Sequence, residues 1–215
     1  MSAPGSEREG VVRYRLEYTP GPAPSGKVVA ALDSWRHVLF CLGLIGGGDP
    51  ARYHGLGFGN VSVRVPGAGF IISGTQTGHL PHAGARHYAV VSACDPAANR
   101  IVAGGPVKPS SEALTHGAVY AALSDVNCVL HAHHPAIWCH ARVLGIPATP
   151  PEVPYGTPEM AASVATLCHS DAGGDGIFVM AGHEDGVVSY GVDEQQAGTR
   201  LVAALARALA IEPGV

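Results

Sequence analysis

Two histidines separated by one residue end a predicted strand and could bind a metal ion. The stretch Leu130–Pro135 reads LHAHHP. Because side chains two apart on a strand point to the same face, His131 and His133 would present two imidazoles to one ion. Catalytic zinc takes three protein ligands, and His183, after the apolar stretch Ile177–Met180, is the best third candidate. The same spacing occurs in histidines at a surface or satisfied in a core, so a structural role stays open.

A pair of serines followed by a glutamate forms a second candidate site. Ser110 and Ser111 precede a predicted helix that runs from about Glu112 to Leu123. The N–H groups at a helix start attract anions, so this place could bind a phosphate or carboxylate, with Glu112 as a general base. An ordinary helix cap with an acid in the first turn is the alternative. The glycine-rich stretch 55–60 precedes a strand, so it is neither a dinucleotide fingerprint nor a P-loop.

The elements that must position these residues follow from hydrophobic periodicity. Predicted helices cover about 25–42, 112–123, 135–144, 157–167 and 194–210, and predicted strands about 11–18, 61–65, 70–72, 88–91, 126–133, 177–181 and 186–190. Glycine and proline between the middle strands indicate antiparallel pairing. We therefore predict an α/β fold with a mostly antiparallel sheet, preceded by an N-terminal tail, strand and linker over residues 1–24.

The composition limits the classes of function. The 215 residues suffice for one sizeable domain, and 12 histidines stand beside only 13 lysines and arginines. A formal net charge of -4 leaves no basic excess for nucleic acid. Neither a signal peptide nor a membrane span is indicated, because charged residues interrupt the longest apolar stretch, 28–45. Five scattered cysteines without C-x-x-C spacing indicate reduced thiols, so we expect a cytoplasmic protein. From the charge and the interrupted apolar stretch we expect neither nucleic-acid nor membrane partners.

Taken in chain order, the motifs resemble those of the class II aldolase/adducin family, typified by fuculose-phosphate aldolase. They are GNVSVR at 59–64, ISGT at 72–75, PSSE at 109–112, HAH at 131–133, and AGH at 181–183 with GVVSYG at 186–191. The resemblance spans the chain from about the first helix to the last. It implies a three-layer α/β/α fold, with residues 25–215 as a class II aldolase-like domain, and assembly as a homotetramer with sites at subunit interfaces.

The same resemblance implies a role for each motif. His131, His133 and His183 would bind Zn²⁺, with Mn²⁺ or Co²⁺ as alternatives, and Glu112 would act as catalytic acid and base. The implied phosphate-binding residues are Asn60, Thr75, Ser110 and Ser111. Zinc would polarise a small hydroxy-carbonyl or sugar-phosphate-like substrate, and a carbon–carbon bond would break or form through a metal-stabilised enediolate.

Two other functions stay open at this point. One is a metal-dependent epimerase, dehydratase or decarboxylase, because a single scaffold can host several outcomes of an enolate-like intermediate. The other is a non-catalytic, adducin-like interaction module. The retained histidine set argues against that module, since adducins lack the catalytic metal ligands.

Several positions depart from the aldolase pattern. Glu184 and Asp185 stand where a glycine usually follows the third histidine. Gly57 replaces a threonine, and Gln76 replaces a glycine that would cradle phosphate. The segment 144–155 is shorter than in the typical aldolase and lacks a counterpart of its active-site tyrosine. These departures leave the substrate and the proton donor open.

Some residues outside the motifs could also take part. Tyr155 and Tyr190 are candidate proton donors, with packing as the favoured alternative. His134 is expected to line the site rather than to bind metal. The histidines of the loop 79–87 are expected to be solvated.

Overall fold

The computed structural model describes residues 12–47, 53–65, 67, 69–170 and 176–211. Within these residues the chain forms eight strands and five α-helices. The strands are β1 Arg15–Pro20, β2 Asn60–Val65, β3 Gly69–Ser73, β4 Tyr88–Asp95, β5 Arg100–Gly105, β6 Cys128–His133, β7 Gly176–Val179 and β8 Gly186–Gly191. The helices are α1 Gly26–Cys41, α2 Ala113–Ala122, α3 Pro135–Leu144, α4 Pro158–Ser170 and α5 Glu194–Leu209.

All eight strands join one sheet in the order β1-β5-β4-β3-β2-β6-β8-β7. Every neighbouring pair is antiparallel except β1 with β5. Apolar side chains of α1, α3 and α5 pack on one face of the sheet, and those of α2 and α4 pack on the other. The predicted three-layer α/β/α fold with a mostly antiparallel sheet is confirmed.

The N-terminal strand ends two residues later than predicted. Thr19 and Pro20, expected to begin a connector, pair with Gly104 and Gly105 of β5. Proline is tolerated because β1 is an edge strand, where one side of the backbone needs no partner. Residues 15–20 thus contribute to the same sheet as the rest of the chain, and the boundary at residue 24 stays a prediction. The predicted tail, residues 1–10, lies outside the described residues.

Side chains cap two of the helices and leave a third without a side-chain cap. His134 caps α3 by accepting a hydrogen bond from the Ala136 amide at 3.2 Å. Asp193 caps α5 through an equivalent bond of 2.7 Å. Before α2, however, Glu112 occupies the N-cap position, and no side chain caps the helix. The Ser110 hydroxyl accepts instead from the Glu112 amide at 3.3 Å, ahead of the helix.

The alternation of β6 decides which layer its histidines face. Leu130 and Ala132 belong to the core cluster beneath α1, α3 and α5, whereas Val129 belongs to the cluster beneath α2 and α4. Successive side chains on a strand point to opposite faces, so His131 and His133 lie on the side of α2.

Among the described residues, no helix is both long enough and apolar enough to span a membrane.

Candidate metal centre

Three buried histidines converge at the end of β6. One nitrogen from each of His131, His133 and His183 lies within 4.8 Å of the others. The Nε2 atoms of His131 and His133 are 3.0 Å apart. Tetrahedral zinc with Zn–N bonds of about 2.0–2.1 Å requires nitrogens about 3.3 Å apart. Small side-chain adjustments therefore suffice for the three imidazoles to bind one ion.

The turn between β7 and β8 brings the third histidine to the other two. β6 pairs with β8 so that His133 lies opposite Gly186. The amide of His183 donates to the Met180 carbonyl, and the amide of Gly186 donates to the His183 carbonyl, both at 2.9 Å. A Cβ at position 186 would approach the His183 ring to 2.9 Å, so this close packing requires glycine. His183 therefore lies directly beside the end of β6.

The surroundings of His131 are compatible with metal binding. Its Nδ1 lies 3.2 Å from the Val187 carbonyl oxygen, which can only accept a hydrogen bond. The proton consequently sits on Nδ1, and Nε2 carries the lone pair. Burial, reinforced by His183 and His116, holds the pKa of His131 well below its usual value. A neutral imidazole held by a carbonyl is the usual form of a zinc ligand.

Glu112 lies beside this cluster and is fully buried. Its Oε2 accepts a hydrogen bond from the Thr115 hydroxyl at 2.9 Å, one helical turn along α2. Its Oε1 lies 3.7 Å from Nε2 of His183. The carboxylate is therefore held in one orientation, with one oxygen next to the histidines, where it can exchange a proton with a bound molecule.

The four residues predicted to bind phosphate surround one small space. We call this space, together with the loop 74–78 that closes it, the cradle; its lining includes Asn60, Thr75, Ser110 and Ser111. Asn60 lies opposite His131 in the pairing of β2 with β6, and opposite residues point to the same face, so the cradle adjoins the histidines. The structure thus brings the predicted residues together, and their ligand stays a prediction.

The N-terminal segment supports the cradle from outside. Tyr14 is buried, and its hydroxyl donates to the Ser110 carbonyl at 2.7 Å. Burial, followed by the nearby Glu112 carboxylate, raises the pKa of Tyr14 far above its usual value. The hydroxyl therefore stays a donor, which fixes the backbone just before α2.

Two tyrosines flank the histidines, and only one was singled out from the sequence. The ring of Tyr53 lies edge-on to His133 with the centroids 4.8 Å apart, and its hydroxyl donates to Asp185 at 2.7 Å. Tyr53 lies outside the sequence motifs. Its position beside the turn after His183 depends on how the chain folds, so the sequence carried no signal for it. Tyr155 is fully buried, with its ring 4.5 Å from that of His183. It packs in the core and also borders the site.

A fourth buried histidine lies behind the cluster. His116 follows Glu112 by one helical turn, a spacing that could have identified it from the sequence. Its Nδ1 lies 2.7 Å from the hydroxyl of Ser62, which in turn lies 2.8 Å from the Tyr120 hydroxyl. Burial lowers the pKa of His116 to about 3. This chain of hydrogen bonds supports α2 against β2.

The remaining candidates cap a helix, are exposed or pack in the core. His134 caps α3, as described above, and His79 and His82 are exposed. His82 stacks on His37 with ring centroids 3.9 Å apart. Tyr190 is buried against Phe178, which is a packing role.

One eight-stranded sheet lies between two helical layers, and three histidines cluster at the end of β6, as the resemblance to class II aldolases implies. The sequence profile described as "Class II Aldolase and Adducin N-terminal domain" matches residues 51–211, so the chain belongs to this family. The predicted resemblance is thereby confirmed. No curated protein shows significant sequence similarity to the chain.

Solved structures agree on the fold. L-fuculose-1-phosphate aldolase from Thermus thermophilus shares 17% identity with a TM-score of 0.59, over 89% of this chain and 100% of that one. YgbL from Escherichia coli, a candidate aldolase/epimerase/decarboxylase, shares 20% identity with a TM-score of 0.64, over 86% and 88%. A sugar-phosphate aldolase from Thermotoga maritima shares 16% identity with a TM-score of 0.60, over 88% and 97%. At these identities the likeness establishes the fold alone.

Proposed function

We propose that the protein is a zinc-dependent carbon–carbon lyase of the aldolase type, acting on a small hydroxy-carbonyl or sugar-phosphate-like substrate. The observation that carries the proposal is a buried carboxylate oxygen, Oε1 of Glu112, 3.7 Å from Nε2 of His183 within a three-histidine cluster. Family membership and the aldolases among the solved relatives support it.

The donor set fits a divalent metal ion. His131, His133 and His183 would hold the ion through neutral nitrogens, and three nitrogens leave a coordination position for substrate. Imidazole ligands suit zinc, while Mn²⁺ and Co²⁺ are alternatives. When bound, the metal supplies Lewis-acid polarisation of a carbonyl and its neighbouring hydroxyl.

Glu112 moves the proton in this proposal. Thr115 holds one carboxylate oxygen, so the other faces a substrate next to the histidines. From there Glu112 takes a proton from, or returns it to, the carbon beside the substrate carbonyl. The cradle, which adjoins the histidines at Asn60, would hold the distal end of the substrate and fix which carbon faces Glu112.

Substitution of Glu112 tests the proposal. Zinc-loaded protein is incubated with a panel of aldol substrates, and the aldehyde and ketone products are measured. We expect E112Q to retain zinc and to lose about 10²–10⁴-fold in rate, because it removes a general acid–base group. The matched control is E159Q, which changes a glutamate in the first turn of α4. Absence of cleavage, or equal rates for E112Q and the unsubstituted chain, would contradict the proposal.

The products also separate this reaction from its alternatives. An epimerase, dehydratase or decarboxylase on the same scaffold would share the proton transfer at Glu112. The epimerase would leave the carbon chain intact, the dehydratase would remove water, and the decarboxylase would release carbon dioxide. Chromatography coupled to mass spectrometry distinguishes the four outcomes, because an epimer has the mass of the substrate and differs from it only in retention. An adducin-like module would give none of them and would bind no zinc.

The proposal extends to the setting of the protein. We propose a homotetramer, as the family resemblance implies, and a location in the cytoplasm. The five cysteines are thiols rather than disulfides, which suits a reducing compartment. Light scattering tests the assembly: a mass four times the chain mass of 22.0 kDa is expected, and a monomer would contradict it.

A further inference from the structure

The cradle is small. Only about 10 Å³ of it is open to the centre of a water molecule. A hydroxyl group needs less of this space than a tetrahedral phosphoryl group does.

Gln76 is the residue that closes the cradle. Its Oε1 accepts a hydrogen bond from the Gly57 amide at 3.1 Å, and both residues line the same space. The side chain thus connects the two loops across the cradle and occupies an amide that could otherwise bind an anion. Gln76 has φ +58°, in the left-handed region that favours glycine. The glutamine backbone adopts this conformation, and its side chain makes the hydrogen bond to Gly57.

Other donors around the cradle already have partners within the protein. The Thr75 amide donates to the Lys108 carbonyl at 3.0 Å, and the Ser110 amide donates to the Ser73 carbonyl at 3.2 Å. None of the described residues that line the cradle is basic. Phosphate is held in proteins by cationic side chains or by amides directed at it. The cradle lacks the positive charge for that ligand, and part of its amide set is occupied.

One buried atom indicates what the cradle binds instead. Asn60 is 4% exposed, and its Oδ1 has no hydrogen-bond partner among the described residues. A buried acceptor without a donor is costly, so its ligand should supply a hydrogen-bond donor. A hydroxyl group supplies one, whereas the oxygens of an ionised phosphate or carboxylate only accept. The hydroxyl would in turn accept from the side chains of Thr75 or Ser111.

We infer that the cradle binds a terminal hydroxyl of an unphosphorylated hydroxy-carbonyl substrate, and that Gln76 excludes the phosphorylated counterpart. The inference rests on the proposed function, because it requires the carbonyl end of the substrate to lie at the histidine cluster. It narrows the range of proposed substrates to small neutral hydroxy-carbonyl compounds and excludes sugar phosphates. Gln76 and Asn60 are then residues that determine specificity.

Three ligands with the same hydroxy-ketone end test the inference. Hydroxyacetone ends in a methyl group, dihydroxyacetone in a hydroxyl, and dihydroxyacetone phosphate in a phosphoryl group. Their dissociation constants for the zinc-loaded protein are measured by isothermal titration calorimetry. We expect dihydroxyacetone to bind about tenfold more tightly than either of the others, since it alone satisfies Asn60. Tightest binding of the phosphate ester, or equal binding of dihydroxyacetone and hydroxyacetone, overturns the inference.

Substitution of Gln76 provides the second arm of the test. Q76G removes the side chain, releases the Gly57 amide and suits the left-handed backbone. We expect the affinity for dihydroxyacetone phosphate to rise about tenfold or more, since a hydrogen bond to a charged group is gained. The control is N99G, a glycine substitution at another left-handed residue, φ +50°, in the turn before β5. An unchanged affinity in Q76G, or the same gain in N99G, overturns the role of Gln76.

Zinc content separates failure of the inference from failure of the proposed function. It is measured on the same samples by mass spectrometry of the metal. Protein that retains no zinc and binds none of the three ligands refutes the proposed function together with the inference. Protein that retains zinc and prefers the phosphate ester refutes the inference alone.

Discussion

The buried His116 predicts a specific dependence of stability on pH. Its pKa is about 3 in the folded protein, whereas an unfolded chain has a histidine pKa of about 6.5. Between these values the unfolded state binds a proton that the folded state does not, so the free energy of unfolding falls as pH falls. From pH 7 to pH 5 this single group should remove about 2 kcal/mol of stability. Below a pH of about 3 its contribution should no longer change.

The variant H116N isolates this contribution. Asparagine keeps a polar group next to Ser62 but cannot take up a proton. Metal-free protein is unfolded with urea at pH 5, 6 and 7, and circular dichroism gives the free energy of unfolding at each pH. The variant need not have the same stability as the unsubstituted chain at pH 7. Between pH 7 and pH 5, however, its free energy of unfolding should decrease by about 2 kcal/mol less than that of the unsubstituted chain. Parallel pH profiles for the two proteins would refute the assignment of His116 as a buried neutral group.

Three further substitutions test other parts of the structure. In G198A the new Cβ would lie 2.2 Å from the Trp35 ring, so we expect α1 and α5 to separate and the free energy of unfolding to fall by about 1–3 kcal/mol in urea titrations. D193A removes the side-chain cap of α5 and should cost about 0.5–2 kcal/mol in the same measurement; no loss would contradict the cap. Y53F removes the hydrogen bond to Asp185 that anchors the turn after His183, so zinc affinity measured by calorimetry should fall about tenfold. An unchanged affinity would show that the turn needs no such anchor.

Local sequence patterns predicted the helices and strands, and they predicted that two of the histidines lie on the same face of the sheet. Alternation placed His131 and His133 on one face of β6, and the structure shows Ala132 on the opposite face, in the other core cluster. The predicted starts of α3 and α5, at residues 135 and 194, agree with the structure. These signals succeed because caps and strand periodicity depend on residues close in the chain.

Contacts between distant segments were not predictable from the same patterns. The parallel pairing of β1 with β5 joins residues far apart in the chain, such as Arg15 with Arg100. The bond from Tyr53 to Asp185 and that from Gly57 to Gln76 depend equally on how loops meet in the fold. The motifs identified Gln76 as unusual, but only the geometry shows that its side chain crosses the cradle. Side-chain partners at such distances follow from tertiary packing rather than from periodicity.

Zinc binding by the histidine cluster is the most direct test of the central proposal. The unsubstituted chain should bind one zinc ion per chain, and H131A, H133A and H183A should each lose at least about 100-fold in affinity, since a three-ligand site does not survive the loss of one ligand. H82A, which changes an exposed histidine, should bind zinc normally. Affinity that is unchanged when His131 and His133 are both replaced would contradict the account.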